Sequence, residues 1–261
     1  MLKLEDIVRV SEDYVKASSL NFVEEMENLQ LWENTILFGV ASADDPIFED
    51  YKKPEIIGPH HISPKEWMPE AQSVISFFLH YSDRVRKTNY SPDYPSTEWL
   101  YGRIEGDYVN IALRKYICET LIESGEKAIS PSDDPRWLRL GFNSNWSERH
   151  AAYAAGLGTF SLSRHLITKK GSAGRFGSII TSAKLEPIKR PYTDPFEYCN
   201  KCGACFPRCP AQAITEKGKE QEPCSHFVHG IVEVENAPRF GCGKCTTKVP
   251  CENGIPGPAN K

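Results

Sequence analysis

The chain has 261 residues, a net charge of −4 and 40% hydrophobic residues, enough for one large or two modest domains whose core needs no disulfides. The slightly acidic charge argues against a nucleic-acid binder held mainly by phosphate contacts. A charged fraction of 25%, with ample aromatic residues, excludes a largely disordered chain. The nine cysteines are spread unevenly, because only Cys118 precedes Cys199 and the other eight lie between Cys199 and Cys251. Composition alone therefore divides the chain in two.

The first residues lack the features of a targeting segment. They include Glu5 and Asp6, and they show neither a basic start with a long apolar stretch nor a twin arginine. The longest strongly apolar run, at residues 73–82, is far shorter than the roughly 20 residues that span a bilayer. We expect a cytoplasmic protein without membrane contact, where a cysteine cluster is more often a metal site than a set of disulfides.

Apolar periodicity and turn residues predict helices alternating with strands. The predicted elements are helix over the first 30 residues, a strand at 36–42, irregular structure at 46–70, a strand at 73–80, a helix at 106–124 that Gly125 ends, a helix at 147–155 with Ser147 as N-cap, and strands at 165–168 and 178–182 around the glycine-rich segment 170–177. This order indicates an α+β fold. We expect an α/β layered N-terminal domain at residues 1–185 and, after a proline-rich boundary, a second domain at residues 190–261.

Four of the clustered cysteines form the run C-x2-C-x2-C-x3-C-P, which begins at Cys199. This is the spacing of bacterial ferredoxins, in which three close thiolates bind one [4Fe–4S] cluster and the fourth reaches a second cluster. The pattern predicts two sets of four ligands. One set is Cys199, Cys202, Cys205 and Cys251, and the other is Cys209, Cys224, Cys242 and Cys245.

The second half of the cysteine pattern, from Cys224 to Cys251, is less regular than the first run. It reads C-x17-C-x2-C-x5-C where a symmetrical ferredoxin would repeat C-x2-C-x2-C-x3-C-P, so the spacing supports the first ligand set more than the second. Two tetrahedral zinc sites would also use eight thiolates, although zinc sites usually pair two C-x2-C knuckles. The odd number of cysteines and the compartment argue against disulfides. Cys118 falls within a predicted helix and is expected to be a small buried apolar residue.

The long N-terminal part carries several short landmarks. Residues 147–158 read SERHAAYAAGLG and residues 171–181 read GSAGRFGSIIT; upstream are FGVASAD at 38–44, MPEAQSVISF at 68–77 and GDY at 106–108. In this order, followed by the cysteine run, they resemble the epoxyqueuosine reductases, whose core also occurs in reductive dehalogenases. The resemblance covers nearly the whole chain.

The resemblance implies a nitroreductase-like N-terminal domain that binds cobalamin base-off beside a bacterial-type two-cluster ferredoxin domain. Electrons from an external donor of ferredoxin or flavodoxin type would pass through two [4Fe–4S] clusters to the cobalt and reduce a small-molecule substrate. No Asp-x-His-x-x-Gly string is present that would place a histidine below the cobalt. The alternative is an electron-transfer protein that serves a partner, with the N-terminal domain as a docking or flavin-binding module.

Two departures from the family pattern bear on the substrate. Epoxyqueuosine reductases carry a proton-donating aspartate a few residues before the Glu–Arg pair, whereas Asn143 or Phe142 stands at the matching place here. An amide cannot act as a general acid in the way a carboxylic acid does. The chain also ends ten residues after Cys251, without the further helices that help those enzymes hold a transfer RNA. We therefore expect no nucleic-acid partner.

Further candidates come from the same resemblance and from local chemistry. Besides Asn143, at the catalytic position, the candidate proton donors are Tyr101, Tyr108 and Tyr153, each of which is also explained by aromatic packing. Arg149 is a candidate for holding an anionic group. The loop after the 147–155 helix and the glycine-rich segment, which resembles a phosphate cradle, add the cofactor-binding candidates Gly158, Ser161, Ser163, Arg164, His165, Gly171, Ser172 and Arg175, although polar turns explain them equally well. His60 and His61 are expected to be exposed.

Overall fold

A computed structural model describes residues 3–258 and places one antiparallel sheet at the centre of the N-terminal part. The elements up to the last strand of this sheet are α1 (Leu4–Ala17), β1 (Phe22–Val23), β2 (Leu29–Gln30), β3 (Leu37–Ser42), α2 (Ile47–Asp50), α3 (Pro64–Trp67), β4 (Ser73–His80), α4 (Asp83–Thr88), α5 (Thr97–Glu123), β5 (Ala128–Ile129), β6 (Arg139–Leu140), β7 (Asn143–Ser144), α6 (Glu148–Ala154), β8 (Gly158–Phe160), β9 (Leu166–Thr168) and β10 (Gly174–Thr181). The later elements are β11 (Ile214–Thr215), β12 (Gly218–Lys219), α7 (Gln221–Ser225), a π-helical turn (His226–Val232) and α8 (Glu233–Asn236).

The four strands of the central sheet run in the order β3-β4-β10-β5, all antiparallel. Every residue of β4 is buried, because both faces of the sheet are covered. Ile75 and Ile179 pack into one hydrophobic cluster with α1 and α5, while Val74 and Ile180 pack into another with α6. The period-two geometry of a strand produces this alternation. The α+β class is confirmed, and the strand prediction at 73–80 matches β4.

Helix α5 is nine residues longer at its start than the sequence predicts. Its N-cap is Ser96, whose hydroxyl accepts a hydrogen bond from the backbone N–H of Trp99 at 3.2 Å. Gly102 and Gly106 obscured this first part, since glycine weakens a helix. A Cβ on Gly106 would lie 2.9 Å from the Trp32 ring, so these glycines admit neighbouring aromatic side chains. The helix ends at the predicted stop.

Two other predictions are wrong in part. Residues 22–30, predicted as helix, form the short antiparallel pair β1–β2. Half of the glycine-rich segment belongs to β10, because Gly174 lies directly against the backbone of Leu79 in β4, where a Cβ would meet the Leu79 carbonyl oxygen at 2.1 Å. The predicted strands at 36–42 and 165–168 and the helix at 147–155 are confirmed to within a residue at each end. No helix within residues 3–258 is long and apolar enough to cross a membrane.

The C-terminal segment, residues 199–258, docks on the N-terminal part through polar contacts. Within the described residues, none of the three hydrophobic clusters includes a residue after Tyr198. Asn89, fully buried at the end of α4, donates from its side chain to the Cys242 carbonyl oxygen at 3.0 Å. The Asn89 carbonyl oxygen in turn accepts from Arg208 at 2.9 Å and from Lys244 at 3.1 Å. Buried hydrogen bonds therefore position this segment.

A buried ion pair completes the docking. The side chains of Arg86 and Glu252 are each 4% exposed and lie 3.2 Å apart. The hydroxyl of Tyr90 donates to the Glu252 carboxylate at 2.9 Å, and the Lys248 backbone N–H donates to it at 2.7 Å. The Glu252 carboxylate, next to Cys251, thus depends on partners from α4 and the loop that follows it.

We expect Arg86→Leu to destabilise the protein by about 3–5 kcal/mol, because it leaves the Glu252 carboxylate buried without its cation. Anaerobic urea unfolding of the purified protein measures this loss. The control is Arg84→Leu, which removes a 41% exposed guanidinium that pairs with Glu27 at 3.1 Å and should cost less than about 1 kcal/mol. Equal losses in the two variants would contradict a structural role for the buried pair.

Candidate functional site

A cleft of about 670 Å³ opens between the N-terminal part and the C-terminal segment. Charged side chains from α5, α6 and β10 line one wall, and Cys242 and Thr246 line the other; we call it the charged cleft. A second cavity of about 540 Å³, the outer cavity, shares Ser144, Ser147 and Arg149 with it. The two spaces are neighbours separated by the start of α6.

Four guanidinium groups face three carboxyl groups in the charged cleft. Arg114 is fully engaged, since its Nε and one terminal nitrogen each donate to the Asp133 carboxylate at 2.7 Å. Arg103 and Arg175 both approach Asp107, each at 3.6 Å, which is too long for a hydrogen bond. Burial, with the charge of Arg175 added, lowers the pKa of Arg103 to about 10. The fourth guanidinium belongs to Arg149.

Glu148 and Arg149 do not pair with each other. The Glu148 carboxylate accepts hydrogen bonds from the Ser132 and Ser178 hydroxyls, and burial raises its pKa. Arg149 is an exposed residue that lines both cavities, and it donates to the Arg164 carbonyl oxygen. Burial and the charges of Arg164 and Arg175 lower its pKa. Arg149 therefore presents a cation without a carboxylate partner to both spaces.

A histidine and tyrosine cluster lies beside the outer cavity. The prediction that His61 is exposed is wrong: it is 4% exposed and stacks on Trp146 at 5.8 Å, and burial lowers its pKa to about 4. The Ser147 hydroxyl and His150 Nδ1 share a hydrogen bond at 2.8 Å, and this hydroxyl makes no capping hydrogen bond at the start of α6. Tyr51 donates to the His150 carbonyl oxygen at 2.8 Å. The sequence singled out neither Tyr51 nor His150, because single aromatic residues carry no spacing signal.

The structure brings the eight clustered cysteines together in two groups of four. One small cavity is lined by Cys199, Cys202, Cys205 and Cys251, and another by Cys209, Cys224, Cys242 and Cys245. Within residues 3–258, no three histidine, cysteine or acidic side chains converge on the position of a single metal ion. Each group surrounds a space.

Burial and the neighbouring thiols make these groups poor sites for free thiolates. Burial, with a contribution from neighbouring cysteines, raises the pKa of Cys205 and of Cys242 to about 12, and that of Cys245 to about 11. Four negative charges around a buried space repel each other unless a cationic group lies between them. The donor set is therefore suited to a cationic metal centre, which lowers thiol pKa values by binding the thiolate.

The turn before β10 contacts the Cys251 backbone. Gly171 has φ +81°, and a Cβ there would lie 2.0 Å from the Glu252 carbonyl oxygen. The N–H and hydroxyl of Ser172 donate to the Cys251 carbonyl oxygen at 2.9 and 3.0 Å. The N–H groups of Gly171 and Ser172 thus donate within the chain and not towards a ligand. Ser172 and Arg175 do line the charged cleft.

The loop after α6 connects the cysteine cavities to the charged cleft. Ser161 and Ser163 share a hydrogen bond at 2.9 Å and line the cavity of the Cys199 group. His165 lines the charged cleft, and its Nδ1 lies 3.3 Å from the Ser163 hydroxyl and 3.8 Å from the Cys245 sulfur. Gly158 instead serves strand pairing, because a Cβ would meet a backbone oxygen of β9 at 2.0 Å. Arg164 lines the outer cavity with φ +61°.

The predicted proton donors are divided between the site and the surface. Tyr153 lines the outer cavity, 9% exposed, and Asn143 lines it as well, with its amide donating to the Ile57 carbonyl oxygen at 3.4 Å. Tyr101 packs under the guanidinium of Arg239, and Tyr108 is 55% exposed on α5. Neither Tyr101 nor Tyr108 lines the charged cleft or the outer cavity, and their role as proton donors stays a prediction.

Neither the protein-family models nor the curated proteins give a match to this sequence. Solved structures do. An epoxyqueuosine reductase from Streptococcus thermophilus aligns with a TM-score of 0.52 and 17% identity, over 97% of this chain and 68% of that one. The catabolic reductive dehalogenase NpRdhA, in complex with 3-bromo-4-hydroxybenzoic acid, aligns with a TM-score of 0.55 and 15% identity, over 84% of this chain and 30% of that one.

This chain shares their fold. A third structure, described as a reductive dehalogenase that suggests a mechanism for B12-dependent dehalogenation, aligns with a TM-score of 0.54 and 16% identity. The resemblance seen in the sequence is thereby confirmed at the level of the fold. The chain spans 66% of the length of another epoxyqueuosine reductase and 30% of the dehalogenases.

We expect Gly171→Ala to displace Cys251, because a Cβ would collide with the Glu252 backbone. If the eight thiolates hold two clusters, as the spacing predicts, the variant should bind about half as much iron per chain as the unaltered protein. Iron and acid-labile sulfide measured per chain after anaerobic purification report the loss. Gly125→Ala is a matched control: Gly125 has a similar φ of +93° but nothing within 4 Å of its Cβ. The backbone strain is therefore common to both, and iron retained in both variants would show that this turn does not position a cluster ligand.

Proposed function

We propose that this chain is a cytoplasmic iron–sulfur reductase that uses two [4Fe–4S] clusters and base-off cobalamin to reduce a small-molecule substrate. One observation carries the proposal. The eight clustered cysteines form two groups of four, each around its own cavity, and Cys242 of the second group also lines the charged cleft. Clusters held by these groups would lie beside a space large enough for a further cofactor or a substrate.

The proposal divides the chain between two roles. Residues 190–261 would form the bacterial-type two-cluster ferredoxin domain, with the ligand sets that the spacing predicts. Residues 1–185 would form the nitroreductase-like domain that holds cofactor and substrate. The shared fold supports this division, and so does the position of the charged cleft between the two parts.

The charged cleft fits a large ligand rich in hydrogen-bonding groups. Among the described residues, Asn110 Oδ1, Trp137 Nε1 and Arg175 Nε are buried without hydrogen-bond partners and belong to residues that line this cleft. The amide side chains and phosphodiester of cobalamin can satisfy such donors and acceptors. Bound there, cobalamin would supply the cobalt redox chemistry, which belongs to the cofactor. The protein residues bind it, orient it and exclude water.

Proton supply is the point at which this chain departs from its structural relatives' sequence pattern. Asn143 cannot act as a carboxylic acid does. Tyr153 offers a hydroxyl to the outer cavity, and Glu148 carries a carboxyl group of raised pKa in the charged cleft. We assign proton transfer to one of these two groups.

The partners are also part of the proposal. An external electron donor of ferredoxin or flavodoxin type would reduce the clusters, since nothing in the chain itself supplies electrons. The substrate is a small molecule, because the net charge of −4 disfavours a nucleic acid.

Anaerobic purification with metal, cobalamin and flavin analysis tests the proposal. We expect about eight irons per chain and stoichiometric uptake of cobalamin with a base-off absorption spectrum. About two zinc ions per chain in place of iron would contradict the cluster assignment. Intact clusters with tightly bound flavin, or with no cobalamin uptake under reducing conditions, would contradict the cobalamin assignment and favour the electron-transfer alternative.

A further inference from the structure

The side chain of Arg175 lines the charged cleft, is 29% exposed, and among the described residues lacks the partners that a guanidinium requires. Its Nε and one terminal nitrogen are inaccessible and make no hydrogen bond. The Asp107 carboxylate lies 3.6 Å away and is shared with Arg103, which lies at the same distance. One carboxylate therefore faces two guanidinium groups and satisfies neither.

The other charged side chains of the cleft do not neutralise this excess of guanidinium groups. Arg114 and Asp133 neutralise each other through two hydrogen bonds of 2.7 Å. Glu148 is engaged by two serine hydroxyls. Arg149 has no carboxylate within 4 Å among residues 3–258 and donates only to a carbonyl oxygen. The cleft thus carries excess positive charge in a chain whose net charge is −4.

This arrangement is costly unless a ligand completes it. A buried polar group without a hydrogen-bond partner destabilises the protein, and a charged one does so more strongly. A guanidinium is best satisfied by a planar or tetrahedral oxyanion that accepts two parallel hydrogen bonds. Carboxylates and phosphates have this form.

We propose that Arg175 and Arg103, with Arg149 lining the same cleft, bind the carboxylate or phosphate group of an anionic ligand. The group has two possible sources: the phosphodiester of the cofactor, or a carboxylate or phosphate on the substrate. The identity of the ligand rests on the proposed function, whereas the binding of the anionic group does not.

The first experiment uses the cluster-containing protein before any corrinoid is added. Inorganic phosphate and benzoate are titrated by isothermal calorimetry, and we expect both to bind the unaltered protein. Arg175→Gln should weaken binding at least about tenfold, because it removes a charge-assisted bond. Arg175→Lys keeps the positive charge but loses the two parallel N–H donors of the guanidinium. Its affinity for the anions should lie between that of the unaltered protein and that of Arg175→Gln.

The matched control is Arg136→Gln, which removes a guanidinium that is 51% exposed and paired with Asp134 outside the cleft. It should bind both anions as the unaltered protein does. The electron paramagnetic resonance spectrum of the reduced clusters shows that each variant is folded. No binding of either anion to the unaltered protein, or equal binding by Arg175→Gln, would overturn the inference.

The second experiment separates the two sources by comparing hydroxocobalamin with cobinamide, which lacks the phosphodiester. If Arg175 binds the cofactor, Arg175→Gln weakens the binding of cobalamin at least about tenfold and leaves the binding of cobinamide unchanged. In that case bound cobalamin also prevents phosphate from binding. If Arg175 binds the substrate, both corrinoids bind the variant normally, and phosphate or benzoate still binds the cobalamin-loaded protein. Failure of every corrinoid to bind would contradict the proposed function alone, because the anion titrations need none.

Discussion

Buried hydrogen bonds between the end of α4 and the C-terminal segment are the constraint on which the rest of the structure depends. Residues 199–258 add no member to the three hydrophobic clusters of the described chain, and their contacts with the end of α4 are polar. The side chain of Asn89 binds the backbone of Cys242, and Arg86 binds Glu252, the residue after Cys251. One short stretch of chain thus fixes a cysteine from each group of four. Polar contacts suit this task, because their geometry is directional whereas apolar contact is not.

The same constraint places both cysteine groups against the charged cleft. Ser172 lines the cleft and holds the backbone of Cys251, while Cys242 is itself part of the cleft wall. His165 lies between the cleft and the sulfur of Cys245. Under the proposed function, electrons would leave the clusters into a space whose excess positive charge favours an anionic occupant. The contacts that position the C-terminal segment therefore also place the cysteine groups beside the positively charged cleft.

The sequence could predict elements whose local pattern agrees with their surroundings. Strand β4 is a continuous apolar run, and the four-cysteine run has a spacing that few sites other than a cluster require. The start of α5 and the start of β10 were missed because both contain glycines. Gly106 and Gly174 admit close neighbours, Trp32 and Leu79, which lie far away in the sequence. When only the local sequence is considered, such glycines predict the end of a helix or strand.

The charged cleft was mostly beyond prediction for a related reason. Arg149 and Arg175 were candidates, but the shared carboxylate of Asp107 and the contribution of Arg103 depend on how α5 crosses β10. An Arg–Asp pair four residues apart on a helix is usually a solvated surface pair. Only the fold shows that this pair faces a cleft and a third charge, that of Arg175. Conversely, the sequence predicts a turn at Gly171 and Ser172, and the fold shows that this turn contacts the backbone of Cys251 and Glu252.

The central claim is that the cysteine run is split between two clusters. Its most direct test compares Cys205→Ser with Cys209→Ser by electron paramagnetic resonance of the dithionite-reduced protein, with Cys251→Ser and Cys242→Ser as references for the two sites. The account predicts that Cys205→Ser alters the same cluster signal as Cys251→Ser, and that Cys209→Ser alters the same signal as Cys242→Ser. If Cys205→Ser and Cys209→Ser altered one signal in common, the proposed division of the eight thiolates would be contradicted.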